Sequence, residues 1–544
     1  MKLTMDQRLA LSENDEDNAR RILSEYGEDL LFVTGRNWAV WDGTRFSFSR
    51  GDLRAFGVAS KLRGLVEAEA DYAESEWRPP ERLVLDALKR STKATIDAHG
   101  GGAGIVRAET ARRLRRHAVK CGNVAKIKAA LESLAHRRAW DVEDLDSDPF
   151  QFVCANGQLD LLTARKAEFP EGATEEEIAA VRASWLKPEI DRTPLPTRAA
   201  PTAYDPHATC PQFEAFLELI CPDAAIRACL WRIMGAMLFG ENKAQVCIII
   251  KGPGGNGKST LLNALQAVLG TVSGYAATAK VDMFLDTGFA SSSGATPEEV
   301  DLPGARVWVA TEPGARDVLS AKNLKGLTGG DRRMSRGLFK ESFFWTPSGL
   351  PIISCNRMVK IKDEDEGTRR RLVILPLEVN LRALPADKQI APGKADKMFA
   401  AEAPGILNRM VDGFRDFWAQ GIAPPPAMDA IKGALMEAAD PVGVFLDEMT
   451  VKGDPSRSRI GVTEFYKVHE AWAQAEGRTL YQMKTVGDIM IEKGIERGKF
   501  QGLSTWRGLS WAPSAAPLLE SLGYGPPMTE AEAQAVEEAR ADGF

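Results

Sequence analysis

One short stretch of the chain has the residue types and the spacing to bind a triphosphate. Residues 252–259 fit G-x-x-x-x-G-K-[ST] at every fixed position. Glycines there let backbone N–H groups curl around phosphate oxygens, Lys258 can reach the β and γ oxygens, and the Ser259 hydroxyl can ligate Mg²⁺. The predicted nucleotide-binding residues are Gly252, Pro253, Gly254, Gly255, Asn256, Gly257, Lys258, Ser259 and Thr260.

The segments on either side of this motif decide between a phosphate loop and a chance glycine-rich turn. Residues 246–250 form a continuous apolar, β-branched run, which predicts a strand buried on both faces of a parallel sheet. Residues 260–269 predict a helix whose positive end points at the same anion. The strand–loop–helix order favours the phosphate loop.

Two further predicted strands end in polar residues that could act on the phosphate. Residues 306–310 form a second buried run, followed by Thr311 and Glu312. The Glu312 carboxylate could polarise the attacking water or hold Mg²⁺ through water, although Thr311 stands where an Asp often sits. Residues 350–355 form a third run that ends at Asn356, which could sense the γ-phosphate. A surface acid and a strand-capping asparagine are the structural alternatives.

Basic residues follow in two places. Arg369, Arg370 and Arg371 precede the apolar run 372–377. They indicate either an arginine finger for a neighbour's γ-phosphate or a plain basic edge. Between the second and third strands, residues 337–345 show the alternation of a hairpin, with Lys340 near the turn.

The whole chain limits the protein class. Its 544 residues allow three or four domains, and a composition of 44% hydrophobic and 26% charged residues is typical of a soluble protein. With a net charge of −6, any nucleic-acid surface must be a local patch. We find no membrane span, no signal peptide and no C-x-x-C pair, so we expect a reducing cytoplasm and no zinc site or disulfide framework.

Upstream of the motif the patterns alternate between helix and strand. A helix to about residue 28 and strands at 30–34, 38–41 and 44–48, with an Asp42-Gly43 turn, predict a small α+β module. Residues 107–138 form a basic helical stretch that indicates phosphate contacts, a solvated helix face or an acidic neighbour. Residues 152–162 predict two strands joined by a turn at Asn156-Gly157. Residues 211–240 predict two helices that precede the phosphate-binding strand and form a helical collar.

Taken in order, these motifs resemble the superfamily 3 helicases of the phage, plasmid and poxvirus primase–helicase branch. The segments that carry the resemblance are the phosphate loop, Val-Trp-Val-Ala-Thr-Glu-Pro at 307–313, Leu-Lys-Gly-Leu-Thr-Gly-Gly-Asp at 324–331, Ile-Ile-Ser-Cys-Asn at 352–356 and Arg-Arg-Arg-Leu at 369–372. Upstream, residues 156–161, 204–206 and 210–213 resemble the family's pre-helicase region. The resemblance covers residues 150–379 well and the flanks more loosely.

The resemblance implies an AAA+ type P-loop core that assembles as a hexameric ring around single-stranded DNA, with ATP and Mg²⁺ bound between subunits. It implies that Lys258 and Ser259 bind phosphate and Mg²⁺, that Glu312 activates water or faces the metal, and that Asn356 senses the γ-phosphate. Arg370 and Arg371 match the family's paired arginines, whereas Arg369 stands where relatives often carry an aromatic residue. Lys325 and Lys340 match the segment that forms the pore-facing hairpin.

The C-terminal part has the pattern of a separate compact unit. Helix-length amphipathic segments at 441–449, 462–474 and 482–493 precede a strand pair predicted at 497–502 and 506–511. Three helices and a β wing describe a winged helix, which also resembles the C-terminal module of the family. The predicted DNA contacts there are Lys484, Arg497, Lys499 and Arg507, and a wing that contacts protein is the alternative.

The fold class expected is α/β, with a parallel central sheet, a helical collar, an N-terminal α+β region and a C-terminal winged helix. The expected segments are 1–150 (N-terminal region), 151–240 (pre-helicase region and collar), 241–385 (helicase core), 386–439 (helical connection), 440–515 (winged helix) and 516–544 (tail). We expect an ATP-dependent replicative DNA helicase of a phage, plasmid or integrated element. An ATP-regulated replication initiator and a bifunctional primase–helicase are the alternatives, and a separate primase or polymerase is a possible partner.

Overall fold

The N-terminal unit is a four-stranded sheet covered by helices. In this computed structural model the described residues are 2–75, 101–286, 296–314, 317–357, 360–362, 366–385, 393–439, 441–476 and 480–525, with Lys93 and Asp97 as isolated helical positions. The elements of the first unit are α1 (Met5–Leu9), α2 (Asp15–Tyr26), β1 (Leu30–Val33), β2 (Asn37–Trp41), β3 (Phe46–Ser47), α3 (Gly51–Ala59), α4 (Leu62–Ser75), α5 (Gly101–Cys121), α6 (Val124–Arg137) and β4 (Ala139–Trp140). Their sheet order is β3-β2-β1-β4.

The start of this unit differs from the sequence prediction. One helix was expected to about residue 28, but α1 and α2 are separate helices. Asn14 caps α2, and its side chain accepts a hydrogen bond from the Asp17 N–H at 2.6 Å. An N-cap side chain satisfies an amide that a continuous helix would bond internally, so a new helix begins there. The hairpin predicted at Asp42-Gly43 is confirmed by the pairing of Trp41 with Phe46.

The next segment contains an antiparallel sheet followed by two helices. Its elements are β5 (Gln151–Cys154), β6 (Gly157–Asp160), α7 (Leu161–Lys166), α8 (Glu175–Ala183), β7 (Leu186–Lys187), α9 (Pro211–Ile220) and α10 (Ala224–Ala236). β6 pairs with both β5 and β7. The turn predicted at Asn156-Gly157 and the two helices predicted before the phosphate loop are therefore present.

A five-stranded parallel sheet forms the middle of the chain, as expected for the α/β class. The elements of this region are β8 (Cys247–Lys251), α11 (Lys258–Leu269), β9 (Ala276–Thr278), β10 (Val307–Thr311), β11 (Val318–Ser320), α12 (Ala321–Gly329), β12 (Arg333–Arg336), β13 (Ser342–Trp345), β14 (Leu350–Cys355), β15 (Lys360–Lys362), α13 (Glu366–Arg371) and β16 (Leu372–Pro376). The sheet order is β16-β8-β14-β10-β9, and every neighbouring pair is parallel. The carboxyl ends of β8, β14 and β10 therefore lie side by side at one edge.

Both faces of this sheet are buried because alternate side chains of each strand enter different cores. Ile248 and Ile250 belong to one hydrophobic cluster, and Cys247 and Ile249 belong to another. The second cluster also contains Val33 of the N-terminal unit. The small N-terminal sheet therefore packs on one face of the central sheet.

Helices cover the other face of the sheet. They bring together segments that the sequence analysis treated as separate. Three helices follow the sheet, namely α14 (Lys394–Ala401), α15 (Ala403–Gln420) and α16 (Pro426–Ala439). The rings of Phe213 on α9 and Phe399 on α14 meet edge to face, with centroids 5.3 Å apart. Both residues belong to the same cluster as Ile250 of the central sheet. The segments predicted at 151–240, 241–385 and 386–439 thus share one hydrophobic core.

The C-terminal unit has a core of its own. Its elements are α17 (Pro441–Met449), β17 (Thr450–Lys452), β18 (Arg459–Gly461), α18 (Val462–Ala475), α19 (Met483–Glu492), β19 (Arg497–Phe500), β20 (Leu503–Arg507), β21 (Leu509–Trp511) and α20 (Ala516–Ser521). Phe445, Phe465, Trp472 and Trp506 are fully or nearly fully buried in it.

Two sequence predictions for this unit are corrected. The strand pair predicted from 497–502 and 506–511 is present as β19 and β20, with Arg497 opposite Trp506. Its second strand is Leu503–Arg507, however, and residues 509–511 form β21, which pairs with β17. The tail was expected to begin at residue 516, but α20 packs into the unit through the buried Leu519. The acidic end beyond residue 525 lies outside the described residues.

Candidate nucleotide site

The phosphate loop joins β8 to α11, as the motif predicted. Gly255 and Gly257 have φ values of 82° and 85°. Glycine adopts this left-handed conformation at little cost, whereas a side chain would be strained there. The loop can therefore turn its amides toward one point in front of the first turn of α11.

Lys258 is buried at the centre of this loop, and its hydrogen-bond partners among the described residues are all neutral. Its Nζ donates to the carbonyl oxygen of Gly252, to that of Pro253 at 3.2 Å, to Asn256 Oδ1 at 3.1 Å and to Asn356 Oδ1 at 3.0 Å. Burial lowers the pKa of the Lys258 ammonium, and the nearby Cys355 and Glu312 raise it by less. A buried cation whose hydrogen-bond partners in the described part of the chain are all neutral is suited to receive an anion.

The two neighbouring strands add the polar residues predicted beside the loop. Asn356 follows β14 and reaches Lys258 directly. Glu312 follows β10, and its N–H donates to Ser354 O at 2.9 Å. Its φ of 51° is a left-handed conformation that costs a non-glycine residue energy and is concentrated at functional positions. The carboxylate of Glu312 is exposed at the same edge of the sheet as the loop.

Ser259 and Glu312 provide the oxygens that a hard divalent cation prefers. Ser259 lies in the first turn of α11, and its side chain is exposed. The hydroxyl and the carboxylate both stand at the carboxyl edge of the sheet and are open to solvent, which fits a magnesium ion that keeps most of its water. Thr260 follows on the same turn and is half-buried.

The predicted paired arginines lie near the amino-terminal ends of the strands, on the side of the sheet opposite to the loop. Arg370 and Arg371 end α13, and the next residue, Leu372, pairs with Cys247 at the start of β8. Because a strand rises about 3.3 Å per residue, five residues of strand put roughly 16 Å between this edge and the loop after β8. Neither arginine can reach the loop of its own subunit.

The two arginines differ in their surroundings. Arg370 is exposed, whereas Arg371 is half-buried and donates from Nη1 to Gln245 Oε1 at 3.1 Å. Arg369 is exposed, and its carbonyl oxygen accepts a hydrogen bond from Lys432. Arg370 is therefore the more accessible of the paired guanidinium groups.

The predicted hairpin is formed by β12 and β13, and Lys340 lies in its turn. Lys340 is exposed, and its Nζ donates to the carbonyl oxygen of Arg36 in the N-terminal unit at 3.2 Å. Gly35 lies so close that a Cβ there would be 2.9 Å from Glu341 O. The hairpin tip thus rests on the β1–β2 turn.

Lys325 does not belong to the hairpin. It lies half-buried on α12, the helix that precedes β12. Residues 321–329 have no strand alternation and begin with a Ser320 cap, so they form a helix in place of the expected hairpin segment. The assignment of Lys325 to the hairpin is corrected accordingly.

The basic residues predicted in the C-terminal unit are all exposed. Lys484 lies on the first turn of α19, and Arg497 and Lys499 lie on β19. Arg507 ends β20 and pairs in register with Arg459 on β18. Arg459 was missed by the sequence analysis because only the strand register brings it beside Arg507.

The basic stretch at 107–138 lies mainly on α5 and α6, and several of its residues pair with acidic residues of the same unit. Arg115 bonds to Asp71 at 2.8 Å and to Glu74 at 2.6 Å, and Lys126 bonds to Asp15 at 3.1 Å. Of the three alternatives given for this stretch, contact with an acidic neighbour is therefore the one observed for Arg115 and Lys126.

Comparison with known proteins identifies relatives among viral helicases. A family model described as "D5 N terminal like" matches residues 19–222. A protein of Acanthamoeba polyphaga mimivirus named "Putative helicase L207/L206" is 27% identical over 277 residues, which are 48% of this chain and 28% of that protein. "Putative helicase 022R" of Frog virus 3 (isolate Goorha) is 28% identical over 284 residues, with the same coverage of each chain.

The predicted resemblance to the primase–helicase family is supported by these matches. The matched part spans little more than a quarter of each helicase-named relative. Among solved structures, the apo structure of the NrS-1 C-terminal region (305–718) is similar at 13% identity and a TM-score of 0.34, covering 55% of this chain and 74% of that one. In the part of our chain that the structure describes, no helix is long and apolar enough to cross a membrane.

Proposed function

We propose that the protein is an ATP-driven DNA helicase of superfamily 3, with an AAA+ type P-loop core. The observation that carries the proposal is the buried Lys258 ammonium, surrounded by neutral oxygens, beside Glu312 and Asn356. The order of the parallel strands supports it, because the strand ends that hold these three groups are adjacent. The helicase-named relatives agree with this class.

In this mechanism Lys258 leaves its carbonyl partners and neutralises the β and γ oxygens of ATP. A bound Mg²⁺, held by Ser259, would neutralise further phosphate charge. Glu312 orients the attacking water and accepts its proton, and the Asn356 amide contacts the γ-phosphate. The hydrogen bond between Lys258 and Asn356 would then be replaced by contacts of both residues to phosphate.

The site is completed by a second subunit. Because Arg370 and Arg371 stand at the edge away from their own loop, they can approach a γ-phosphate only on a neighbour. This arrangement requires a head-to-tail assembly, in which one edge of each subunit faces the other edge of the next. A closed ring, a hexamer by the family resemblance, satisfies that requirement.

Single-stranded DNA would pass along the hairpin and the C-terminal unit. Lys340 is exposed at the hairpin turn, and a phosphate could replace the single backbone oxygen that it contacts. In the C-terminal unit, three helices and the β18-β20-β19 sheet are the parts of a winged helix, with Lys484, Arg497, Lys499 and Arg507 outward. We place the protein in the replication of a virus, phage, plasmid or integrated element.

The Lys258→Ala variant tests the nucleotide site. Transition-state charge stabilisation of this kind is worth several kcal/mol, so ATP hydrolysis should fall more than about a hundredfold. Lys397→Ala, which removes an exposed lysine on α14, is the matched control and should hydrolyse ATP as the wild type does. Turnover by Lys258→Ala within a few-fold of wild type, at an unchanged unfolding midpoint, would contradict the proposal.

The second candidate function is an initiator that binds DNA and uses ATP only to set its oligomeric state. The exposed basic wing favours it, because such a wing can bind duplex DNA without a motor. Hydrolysis that rises several-fold with single-stranded DNA supports the motor. ATP-dependent DNA binding without turnover supports the initiator.

A further inference from the structure

The segment that follows β16 is bonded to the phosphate loop along its length. We call residues 377–382 the strap. The Leu377 N–H donates to Lys251 O at 2.8 Å, just before the loop. Within the loop, Asn256 Nδ2 donates to Leu377 O, and Gly255 O accepts from the Leu381 N–H at 2.9 Å. The strap is therefore held in register with the loop.

The strap brings one arginine against the loop. Arg382 lies in a short 3₁₀ turn, Leu381–Ala383, in which its N–H donates to Asn380 Oδ1 at 3.0 Å. A Cβ at Gly255 would be 3.2 Å from both Cδ and Nε of Arg382. The side chain of Arg382 thus runs along Gly255, where only a hydrogen leaves it room, and the residue is exposed.

The two cations of the site stand on different parts of the loop. Lys258 bonds to Gly252 and Pro253 at the beginning of the loop and to Asn356, where the terminal phosphate would react. Arg382 lies beside Gly255, in the second half of the loop. A nucleotide bound with its γ-phosphate near Asn356 would extend its α-phosphate and sugar away from that point.

We propose that Arg382 is a nucleotide-binding residue of the same subunit, which contacts the α-phosphate and the adjoining sugar. This inference rests on the proposed function, because it requires that the loop binds a nucleotide. A guanidinium group presents several N–H donors in one plane, which suits paired phosphate and sugar oxygens. Arg382 then holds only the part of the nucleotide that ATP and ADP share. Lys258 contacts the β-phosphate, which both nucleotides have, and also the γ-phosphate, which Asn356 contacts and hydrolysis removes.

The test compares the affinities of the full-length protein for fluorescent analogues of non-hydrolysable ATP and of ADP. Arg382→Ala should weaken both analogues by the same factor, roughly ten- to a hundredfold, which is the usual effect of losing a hydrogen bond to a charged group. Arg382→Lys, which keeps the charge and loses the planar fork, should fall in between. Lys397→Ala is again the control and should bind both analogues as the wild type does, and each variant's unfolding midpoint in urea reports its fold.

Three results would overturn the assignment of Arg382. These are unchanged affinity of Arg382→Ala for both analogues, a loss for the ATP analogue alone, and full rescue of both affinities by Arg382→Lys. Lys258→Ala, titrated in parallel, separates this failure from that of the proposed function. If Lys258→Ala binds both analogues as the wild type does, the loop is not the nucleotide site, and both proposals fail. If Lys258→Ala loses affinity while Arg382→Ala does not, only the assignment of Arg382 is wrong.

Discussion

Replacing Arg370 or Arg371, which directly precede β16, tests both the role of the arginine and the assembly of subunits. Arg371→Ala leaves the loop, Glu312 and Asn356 of its own chain intact, since the length of β16 separates them from the arginine. In a ring made only of this variant, no nucleotide would meet a neighbour's guanidinium group. We therefore expect hydrolysis to fall by a factor of about 10³–10⁵, the usual contribution of an arginine finger.

Mixing two inactive variants should restore part of the activity. Lys258→Ala has an intact arginine, and Arg371→Ala has an intact loop. If an equimolar mixture assembles at random, about one quarter of the interfaces join an intact loop to an intact arginine. Steady-state ATPase turnover of the mixture should then rise toward about a quarter of the wild-type rate. That is about 25-fold or more above Lys258→Ala alone and about 250-fold or more above Arg371→Ala alone.

The mixing experiment has a clear negative outcome. An arginine that acts within its own chain gives no rescue, because every subunit of the mixture then has one broken site. Arg370→Ala should be mixed in the same way, since Arg370 is the more exposed of the pair. If neither variant loses hydrolysis, or neither mixture regains it although native mass spectrometry shows mixed rings, the intersubunit role is refuted and the arginines form a structural edge.

Three further predictions concern other parts of the molecule. Glu312→Gln should bind a fluorescent ATP analogue normally but hydrolyse ATP slowly, and weak binding would show that Glu312 serves the structure. Lys340→Ala should weaken single-strand binding more than basal hydrolysis and lower the log–log salt slope by about one per phosphate contact, whereas an unchanged slope with intact unwinding removes Lys340 from the DNA path. Burial lowers the pKa of His469 to about 4, and its ring nitrogens have no partner among the described residues. The His469 contribution to stability should be complete above pH 6.5 and decline as the pH falls toward 4, by about 2 kcal/mol at pH 5. Urea unfolding followed by tryptophan fluorescence should show this slope in the wild type but not in His469→Leu; equal slopes would contradict it.

Features formed by contiguous residues were predictable from the sequence. The glycine-rich loop between β8 and α11 is one, because its glycines permit the backbone to turn there, and Gly255 and Gly257 adopt the left-handed conformation that glycine favours. The buried strands and the turn at Asn156-Gly157 are others, since hydrophobic runs and turn residues act over a few positions. To predict that Glu312 and Asn356 lie near the loop, one further general rule is needed. The carboxyl ends of neighbouring parallel strands lie side by side.

The family resemblance matched some residues to motifs but assigned them to the wrong structural element. Lys325 was assigned to the hairpin by its motif, but the local sequence from Ser320 caps a helix. The basic stretch of α5 and α6 could not be interpreted from its own composition, because its counter-charges lie on other helices of the unit. Arg115, for example, pairs with Asp71 and Glu74 on α4.

Only the tertiary structure decided which distant segments meet at the candidate site. The sequence by itself determined a glycine-rich loop between a strand and a helix, strands buried on both faces, the polar residues that end them, and three helices and a strand pair in the C-terminal unit. The order of the strands in the sheet then placed Arg371 at the far edge from its own loop and brought Arg382 against Gly255. Short-range geometry follows from backbone conformation and side-chain periodicity, which a sequence displays. Contacts between segments that are distant in the sequence depend on how the sheet and the helices pack their apolar faces together. That packing is a property of the entire fold.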